Sequence, residues 1–232
     1  MDFQTVAITG PEGEFTAYLG VPEHLPRAGV IVIQEIFGIN SFIRQGVELL
    51  TRSGYLAIAP DLFWRRAAGI QLNDQDPVDR ATAFELYATY DENQGIADLM
   101  ATMAFLKQRP GCTGQVGSVG FCLGGKLAYL MATRSPAQCN VSFYGVGIET
   151  CLAERTQIQT PLLLHLAGAD EFVPLAAQTE IQTELQENPL VIMYGYPGVG
   201  HGFARSGGSN YNRVAATLAW ERTLGFFRQH LK

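Results

Sequence analysis

A cysteine lies between glycines at the point where an apolar run gives way to a helical pattern. The pentapeptide Gly120-Phe121-Cys122-Leu123-Gly124 has the form glycine, any residue, nucleophile, any residue, glycine. A nucleophile in that setting lies on a sharp turn from strand to helix, and flanking glycines let the two backbones approach. The helix N-terminus would favour a thiolate and stabilise an oxyanion. The pattern predicts a catalytic Cys122, although a small buried cysteine in a glycine-rich turn is the alternative.

Two residues further along the chain could complete a triad with this cysteine. In hydrolases built on such an elbow, the nucleophile is followed by an acid and then by a base. Asp170 follows the apolar strand of "PLLLHLAGADEFVP", and His201 lies in the glycine-rich loop "YGYPGVGHGF". His201 would take the thiol proton and later activate water, while Asp170 would orient the imidazole. A turn or helix-cap aspartate and an exposed loop histidine are the alternatives.

The tetrahedral adduct on Cys122 would need two N–H donors for its oxyanion. The amide of Leu123 is one, because it follows the nucleophile directly, and the amide of Ile36 after the first long strand is the second.

The other cysteines and histidines are poorer candidates for the triad. The three other cysteines lack the glycine setting, and the three other histidines lie in a proline-flanked loop, within a strand and at the chain end. These residues are Cys112, Cys139, Cys151, His24, His165 and His230.

The elements that must position these residues alternate along the chain. After an N-terminal hairpin, continuous apolar runs such as "GVIVIQEI" and "YLAIAP" predict buried strands, and "INSFIRQGVELLTRSG" predicts an amphipathic helix. Such alternation predicts an α/β fold, one domain over residues 1–232, with a mostly parallel central sheet and helices on both faces. Ligands bind such sheets at the carboxyl ends of the strands. The stretch 61–92 is polar and predicts a long irregular loop of functional importance.

Composition and charge restrict the class of protein. Hydrophobic residues make up 47% of the chain and charged residues 16%, which is enough to bury a core. The net charge of −6 argues against nucleic acid or an anionic membrane as the main partner. No apolar run reaches the roughly 18 residues of a membrane span, and the N-terminus has no signal-peptide pattern. The four cysteines show neither CxxC spacing nor the density of a disulfide scaffold, so we expect reduced thiols in a cytoplasmic protein. We also expect a monomer.

Six segments of the chain together resemble one family. These are "QEIFGIN", "APDLF", "VGFCLGG", "FYGVG", "GADEFVP" and "GHGFAR", and they resemble dienelactone hydrolase (carboxymethylenebutenolidase). The resemblance implies an α/β-hydrolase fold, a Cys122-His201-Asp170 triad and no metal or cofactor. It also implies that Glu35 contacts the thiol and accepts its proton when substrate binds. A carboxylate at the end of a buried strand is costly without such a purpose, although a salt-bridged or solvated glutamate is the alternative.

The resemblance also assigns substrate contacts. Arg80 and Arg205 match positions that bind the substrate carboxylate, a role that suits the guanidinium fork, and surface arginines are the alternative. Phe37 and Tyr144 match apolar or aromatic wall positions. The chain departs from the family pattern at three positions near this predicted pocket, where the family often has Tyr, Trp and Ser. These positions are Phe84, Tyr87 and Gly202.

The choice of cysteine itself favours one kind of ester. A thiolate leaves more easily than an alkoxide, so an adduct with a plain alkyl ester tends to return to reactants. An enol or aryl oxygen is a better leaving group, which favours an activated ester or an enol-lactone, here one that carries a carboxylate. A general carboxylesterase or thioesterase and a non-catalytic small-molecule receptor are the alternatives. A glutamine amidotransferase is disfavoured, because Gly202 and Phe203 follow His201 where a glutamate is needed.

Overall fold

Strands and helices alternate through a computed structural model that describes residues 1–232. The strands are β1 (Asp2–Gly10), β2 (Gly13–Val21), β3 (Arg27–Ile33), β4 (Leu56–Pro60), β5 (Cys112–Phe121), β6 (Asn140–Phe143), β7 (Leu162–Ala167) and β8 (Val191–Tyr196). The α-helices are α1 (Ser41–Arg52), α2 (Trp64–Ala67), α3 (Pro77–Ala88), α4 (Glu92–Gln108), α5 (Leu123–Arg134), α6 (Leu175–Leu185) and α7 (Arg213–His230). A 3-10 helix covers Ile148–Gln157.

The eight strands form one sheet in the order β1-β2-β4-β3-β5-β6-β7-β8. The N-terminal hairpin pairs β1 with β2 in antiparallel fashion, and β2 also pairs antiparallel with β4. Parallel pairing joins β3 to β4, β6 to β7 and β7 to β8. The predicted α/β fold with a mostly parallel sheet is therefore confirmed. No helix combines the length and the apolar character that crossing a bilayer would require.

Contacts within the chain divide it into two units, Met1–Ser118 with Lys232, and Val119–Leu231. Strand β5 runs from the first unit into the second. The prediction of one domain over residues 1–232 stays a prediction.

In the first unit, β3 is buried from Ala28 to Ile33, as expected for a strand that is continuous in apolar residues. The strand ends three residues earlier than the sequence predicts, so Gln34 and Glu35 lie just beyond it. The Gln34 side chain accepts a hydrogen bond from the amide of Leu62 at 3.1 Å and donates to the carbonyl of Glu35 at 3.3 Å. These two bonds satisfy the amide oxygen and nitrogen of the fully buried Gln34 side chain.

The irregular loop predicted for residues 61–92 is wrong, because the structure has helices α2 and α3 there. Helix α3 begins where Asp76 caps it, accepting hydrogen bonds from the amides of Val78 and Asp79 at 2.8 and 3.1 Å. Pro77 at the first turn fits this start. The helix buries only Ala83. It therefore lacks the apolar stripe by which a helix is recognised in a sequence.

In the second unit, His165 of β7 lies in a buried chain of hydrogen bonds. Its Nδ1 lies 2.8 Å from the hydroxyl of Tyr196, and its Nε2 lies 3.0 Å from the hydroxyl of Thr223. Arg222 donates to the same Tyr196 oxygen at 3.1 Å. An arginine can only donate, so the Tyr196 hydroxyl has its own proton free for Nδ1 of His165. The imidazole is then neutral and donates from Nε2 to Thr223. Burial lowers the pKa of His165 to about 3, assisted by the charge of Arg222.

The lowered pKa predicts that His165 makes the fold acid-sensitive. The unfolded chain binds a proton below pH ~6.5 and the folded chain does not until about pH 3, so the free energy of unfolding falls as pH falls through this window. Between pH 7.5 and pH 5 we expect this residue to contribute a loss of about 2 kcal/mol. Urea unfolding of the parent and of His165→Gln should therefore show a smaller pH dependence in the variant. Exposed His24→Gln is the control, and equal pH dependence in all three proteins would contradict the prediction.

Candidate active site

Cys122 lies at the turn from β5 to α5, with the unusual backbone angles φ 55° and ψ −115°. A positive φ is strained for a residue with a side chain, and such strain needs support from the surrounding structure. The Cys122 amide donates to the carbonyl of Phe143 at 3.1 Å. Its carbonyl accepts from the amides of Gly125 at 2.9 Å and Val146 at 3.3 Å. The backbone of Cys122 is therefore fixed by the start of α5 and by the segment after β6, and its side chain remains partly exposed.

The glycines around Cys122 are required by close backbone contacts. A Cβ atom on Gly120 would lie 1.9 Å from the carbonyl oxygen of Gly124, far inside any real contact distance. A Cβ atom on Gly125 would lie 2.7 Å from both the Cα of Gly145 and the carbonyl of Phe143. Strand and helix can therefore meet at this sharp angle only without side chains at these positions.

Asp170 and His201 come together from the loops after β7 and β8. Nδ1 of His201 lies 2.9 Å from Oδ2 and 3.1 Å from Oδ1 of Asp170. Oδ1 also accepts hydrogen bonds from the amides of Phe172 and Val173 at 2.9 and 3.1 Å. Asp170 thus serves both as the turn residue and as the partner of the imidazole. Both side chains are buried, so the carboxylate is held in one orientation.

The imidazole of His201 lies between two aromatic rings, with edge contacts to Tyr144 at 5.0 Å and Phe172 at 4.9 Å between ring centres. Its Nε2 is buried and has no hydrogen-bond partner of acceptable geometry. Burial alone would lower the pKa of His201, but the charge of Cys122 and the interaction with Asp170 outweigh it and raise the pKa to about 10. These interactions therefore favour the protonated imidazole of His201 at neutral pH.

This raised pKa gives a prediction for titration. His201 should stay protonated at pH 7 to 8 in the parent, because its pKa is about 10. In Cys122→Ala the interaction of His201 with Cys122 is gone and burial remains, so the pKa of His201 should fall toward the ordinary ~6.5. Imidazole ¹⁵N chemical shifts measured against pH report both values. A His201 pKa that is the same in the parent and in Cys122→Ala would contradict the prediction.

Protonation of His201 also contributes to the free energy of unfolding, because its pKa is higher in the folded chain than in the unfolded chain. This contribution is fully present below pH ~6.5 and is lost as pH rises through about 10.

The predicted site residues divide between the two units of the chain. The unit Val119–Leu231 contains Cys122, Leu123, Tyr144, Asp170, His201 and Arg205. Tyr144 is buried and, like Cys122, has a positive φ, 40°. The unit Met1–Ser118 contains Glu35, Ile36, Phe37 and Arg80. The roles assigned to these four residues toward the triad stay predictions.

Burial separates the four predicted residues of the first unit. Glu35 is 0% exposed, so the alternative of a solvated loop glutamate is excluded. Ile36 and Phe37 are also buried. Arg80 lies on α3 and is exposed. No group of three or more His, Cys, Asp or Glu side chains is placed to hold a metal ion.

Arg205 folds against the backbone next to His201. Gly202 has φ 75°, and a Cβ atom there would lie 2.8 Å from Nη2 of Arg205. The Arg205 amide donates to the carbonyl of Gly202 at 2.9 Å. The absence of a side chain at residue 202 therefore lets the guanidinium lie directly over this turn. Gly202 therefore bears directly on the position of Arg205, a predicted substrate contact.

Three neighbours of His201 were not identified from the sequence. Phe172 packs on the imidazole, Asn210 donates to the His201 carbonyl at 3.0 Å, and Glu171 lies 3.4 Å from the His201 amide. Glu171 and Phe172 directly follow the predicted acid Asp170, so their position in the sequence could have indicated that they lie near His201. Asn210 has no such signal, because its contact depends on how the loop after His201 folds back.

The chain is similar to known hydrolases along almost its whole length. The sequence profile of the Dienelactone hydrolase family matches residues 15–231. Carboxymethylenebutenolidase of Pseudomonas putida is 40% identical over 212 residues, which cover 91% of this chain and 90% of that protein. Carboxymethylenebutenolidase of Pseudomonas sp. strain P51 is 37% identical over 217 residues, covering 94% and 91%.

Solved structures agree on the fold. The crystal structure of dienelactone hydrolase from Anabaena variabilis has a TM-score of 0.75 at 17% identity and covers 100% of this chain and 99% of that chain. The sequence similarity identifies a hydrolase that acts on carboxylic esters or lactones. The chain, with its cysteine on a glycine-flanked elbow, belongs to the dienelactone hydrolase family.

Proposed function

We propose that this protein hydrolyses an activated ester or enol-lactone bearing a carboxylate, through an acyl-enzyme on Cys122. The observation that carries the proposal is the geometry of the elbow and of the loops after β7 and β8. Cys122 has strained backbone angles at its turn, and in the same unit buried His201 is held by Asp170 at 2.9 Å. The names of the Pseudomonas relatives support a lactone of the dienelactone type as the substrate.

The reaction proceeds in two balanced halves. The thiol proton passes to Glu35 when substrate binds, and the thiolate of Cys122 attacks the carbonyl carbon. The oxyanion accepts hydrogen bonds from the amides of Leu123 and Ile36. Collapse breaks the bond to the leaving oxygen, which takes a proton from the imidazolium of His201. Water then loses a proton to the neutral imidazole and attacks the thioester, and the thiolate leaves. Glu35 returns its proton to this thiolate, which restores the starting thiol and carboxylate.

The high pKa of His201 suits the first half of this cycle. A group that stays protonated at neutral pH can deliver a proton to the leaving oxygen, and Asp170 stabilises that charge. An enol oxygen needs less help than an alkoxide, so the adduct proceeds forward and does not return the thiolate. A cysteine nucleophile therefore fits an enol-lactone better than an alkyl ester.

The substrate carboxylate is assigned to arginines. Arg205 is partly buried beside the base, which makes it the better anchor, and exposed Arg80 would add a second charge. A guanidinium binds a carboxylate with two parallel hydrogen bonds. Phe37 and Tyr144 are buried and would form apolar walls.

Steady-state hydrolysis of cis- and trans-dienelactone, p-nitrophenyl acetate and ethyl acetate tests the proposal. We expect turnover of a dienelactone and of the activated ester, and little turnover of the alkyl ester. Arg80→Ala with Arg205→Ala should raise KM for the lactone and leave p-nitrophenyl acetate hydrolysis within about twofold. Comparable rates on ethyl acetate, or an unchanged lactone KM, would instead indicate a general carboxylesterase.

Gly202 is predicted to set substrate preference through Arg205. Gly202→Ala should displace the guanidinium and lower the kcat/KM ratio of carboxylated lactone to p-nitrophenyl acetate by about tenfold, the worth of one charge-assisted hydrogen bond. Using the ratio cancels any general damage from the positive φ at this position. In an Arg205→Ala background the same substitution should leave the ratio unchanged. An equal effect of Gly202→Ala in both backgrounds would contradict coupling between the two residues.

A further inference from the structure

The backbone of His201 is held by two side chains that have no place in the mechanism above. The Nδ2 amide group of Asn210 donates to the His201 carbonyl at 3.0 Å. The His201 amide donates to Oε2 of Glu171 over a longer distance, 3.4 Å. The same Nδ2 group lies 3.5 Å from Oε1 of Glu171. Both polar groups of the His201 backbone are thus engaged by one connected pair, Glu171 and Asn210.

The loop that carries Asn210 is itself anchored. The amide of Asn212 donates to the carbonyl of Phe203 at 3.0 Å. This bond fixes the segment after Asn210 to the backbone two residues after His201. The Asn210 side chain packs on the residue before His201, since a Cβ atom on Gly200 would lie 3.1 Å from its Nδ2 and 3.2 Å from its Cγ. The Asn210 side chain therefore binds the His201 carbonyl and occupies the space where a side chain on Gly200 would lie.

We infer that Asn210 and Glu171 are positioning residues that keep the His201 imidazole directed at Cys122. The inference rests on the proposed function. Asp170 holds the imidazole at Nδ1 alone, so the direction of the ring also depends on the position of the His201 backbone. A glycine on each side of His201 makes that backbone flexible, so fixation has to come from outside the turn. The pair Glu171 and Asn210 supplies it on both the amide and the carbonyl.

A purely structural role would be to tie two surface loops together, and it has a different signature. Loss of that tie would lower the melting temperature alone. Loss of positioning would also let the protonated imidazole move away from Cys122. Ionisation of the thiol would then be less favourable, and alkylation of Cys122 would need a higher pH.

The test uses Asn210→Ala, Glu171→Ala and Glu171→Gln, with exposed Ser209→Ala as the control in the same loop. For each protein we would measure kcat and KM on p-nitrophenyl acetate, the melting temperature, and the pH midpoint of Cys122 alkylation by iodoacetamide, followed on its peptide by mass spectrometry. For Asn210→Ala we expect a roughly fivefold fall in kcat, the scale of one lost hydrogen bond. KM should stay within about twofold, and the midpoint should rise. Glu171→Gln keeps an acceptor oxygen and should restore most of what Glu171→Ala loses.

The inference is overturned if Asn210→Ala lowers the melting temperature while kcat and the alkylation midpoint match those of Ser209→Ala. It is also overturned if Glu171→Gln is as impaired as Glu171→Ala, because a charge effect would then replace positioning. Failure of the proposed function has a separate readout, namely a parent protein that does not hydrolyse carboxylated lactones. The alkylation midpoint still tests positioning in that case, because it requires no substrate.

Discussion

Cys122→Ala should lower kcat/KM for an activated ester by about 10⁴-fold or more, because every step of acyl transfer passes through the sulfur atom. Binding of the substrate carboxylate does not involve the sulfur, so a competitive carboxylate inhibitor should still bind. Initial rates on p-nitrophenyl acetate and a binding titration measure the two effects. Cys122→Ser tests the elbow itself, since an alkoxide in the same position should keep some acyl transfer.

The matched control is Cys151→Ala, a free and partly exposed cysteine in the 3-10 helix Ile148–Gln157. Its activity should equal that of the parent. Incubation with an activated ester, followed by intact mass, should show an acyl adduct in the parent and in Cys151→Ala, and none in Cys122→Ala. Retained turnover in Cys122→Ala would remove the basis of the proposed mechanism.

The second large effect is expected at Gly120, where a side chain cannot be accommodated. The added methyl of Gly120→Ala would lie 1.9 Å from a backbone carbonyl, that of Gly124. Backbone atoms cannot turn aside as a flexible side chain can, so strand β5 and helix α5 would have to separate. We expect a loss of roughly 3 kcal/mol or more in the free energy of unfolding, at the upper end for overpacking, together with loss of activity. Urea unfolding and initial rates measure both.

Gly195→Ala is the control for this substitution. It also adds a methyl within a strand, β8, but nothing lies within 4 Å of the new atom. Its stability should change by less than about 0.5 kcal/mol. Were Gly120→Ala as stable and active as Gly195→Ala, the close approach at the elbow would not exist in solution.

The sequence predicts the general architecture because the buried strands leave a clear pattern. Strand β7 is buried along its whole length and is apolar except at His165, so its carboxyl end and the following Asp170 could be located by inspection. Cys122 has a local signal as well, since its flanking glycines reflect a backbone requirement. The triad partners could be proposed because each follows a strand.

What the sequence does not predict depends on contacts without a local pattern. Helix α3 has a cap at Asp76 but buries almost nothing, so its apolar period is absent and the segment is mistaken for a loop. The Asn210 contact with His201 depends on a loop that folds back through nine residues. The low pKa of His165 depends on burial that becomes apparent only when β7 lies inside the sheet.

The division of the chain at Ser118 and Val119 bears on how new specificities could evolve. The genetic segment for residues 119–231 encodes Cys122, Asp170 and His201 together, whereas Glu35, Phe37 and Arg80 are encoded upstream. A crossover between two related genes inside the codons of β5 would therefore transmit the proposed triad as a unit and exchange the upstream set in a single event. Chimeric libraries joined at this point offer a direct route to altered substrate range while the proposed triad is kept intact.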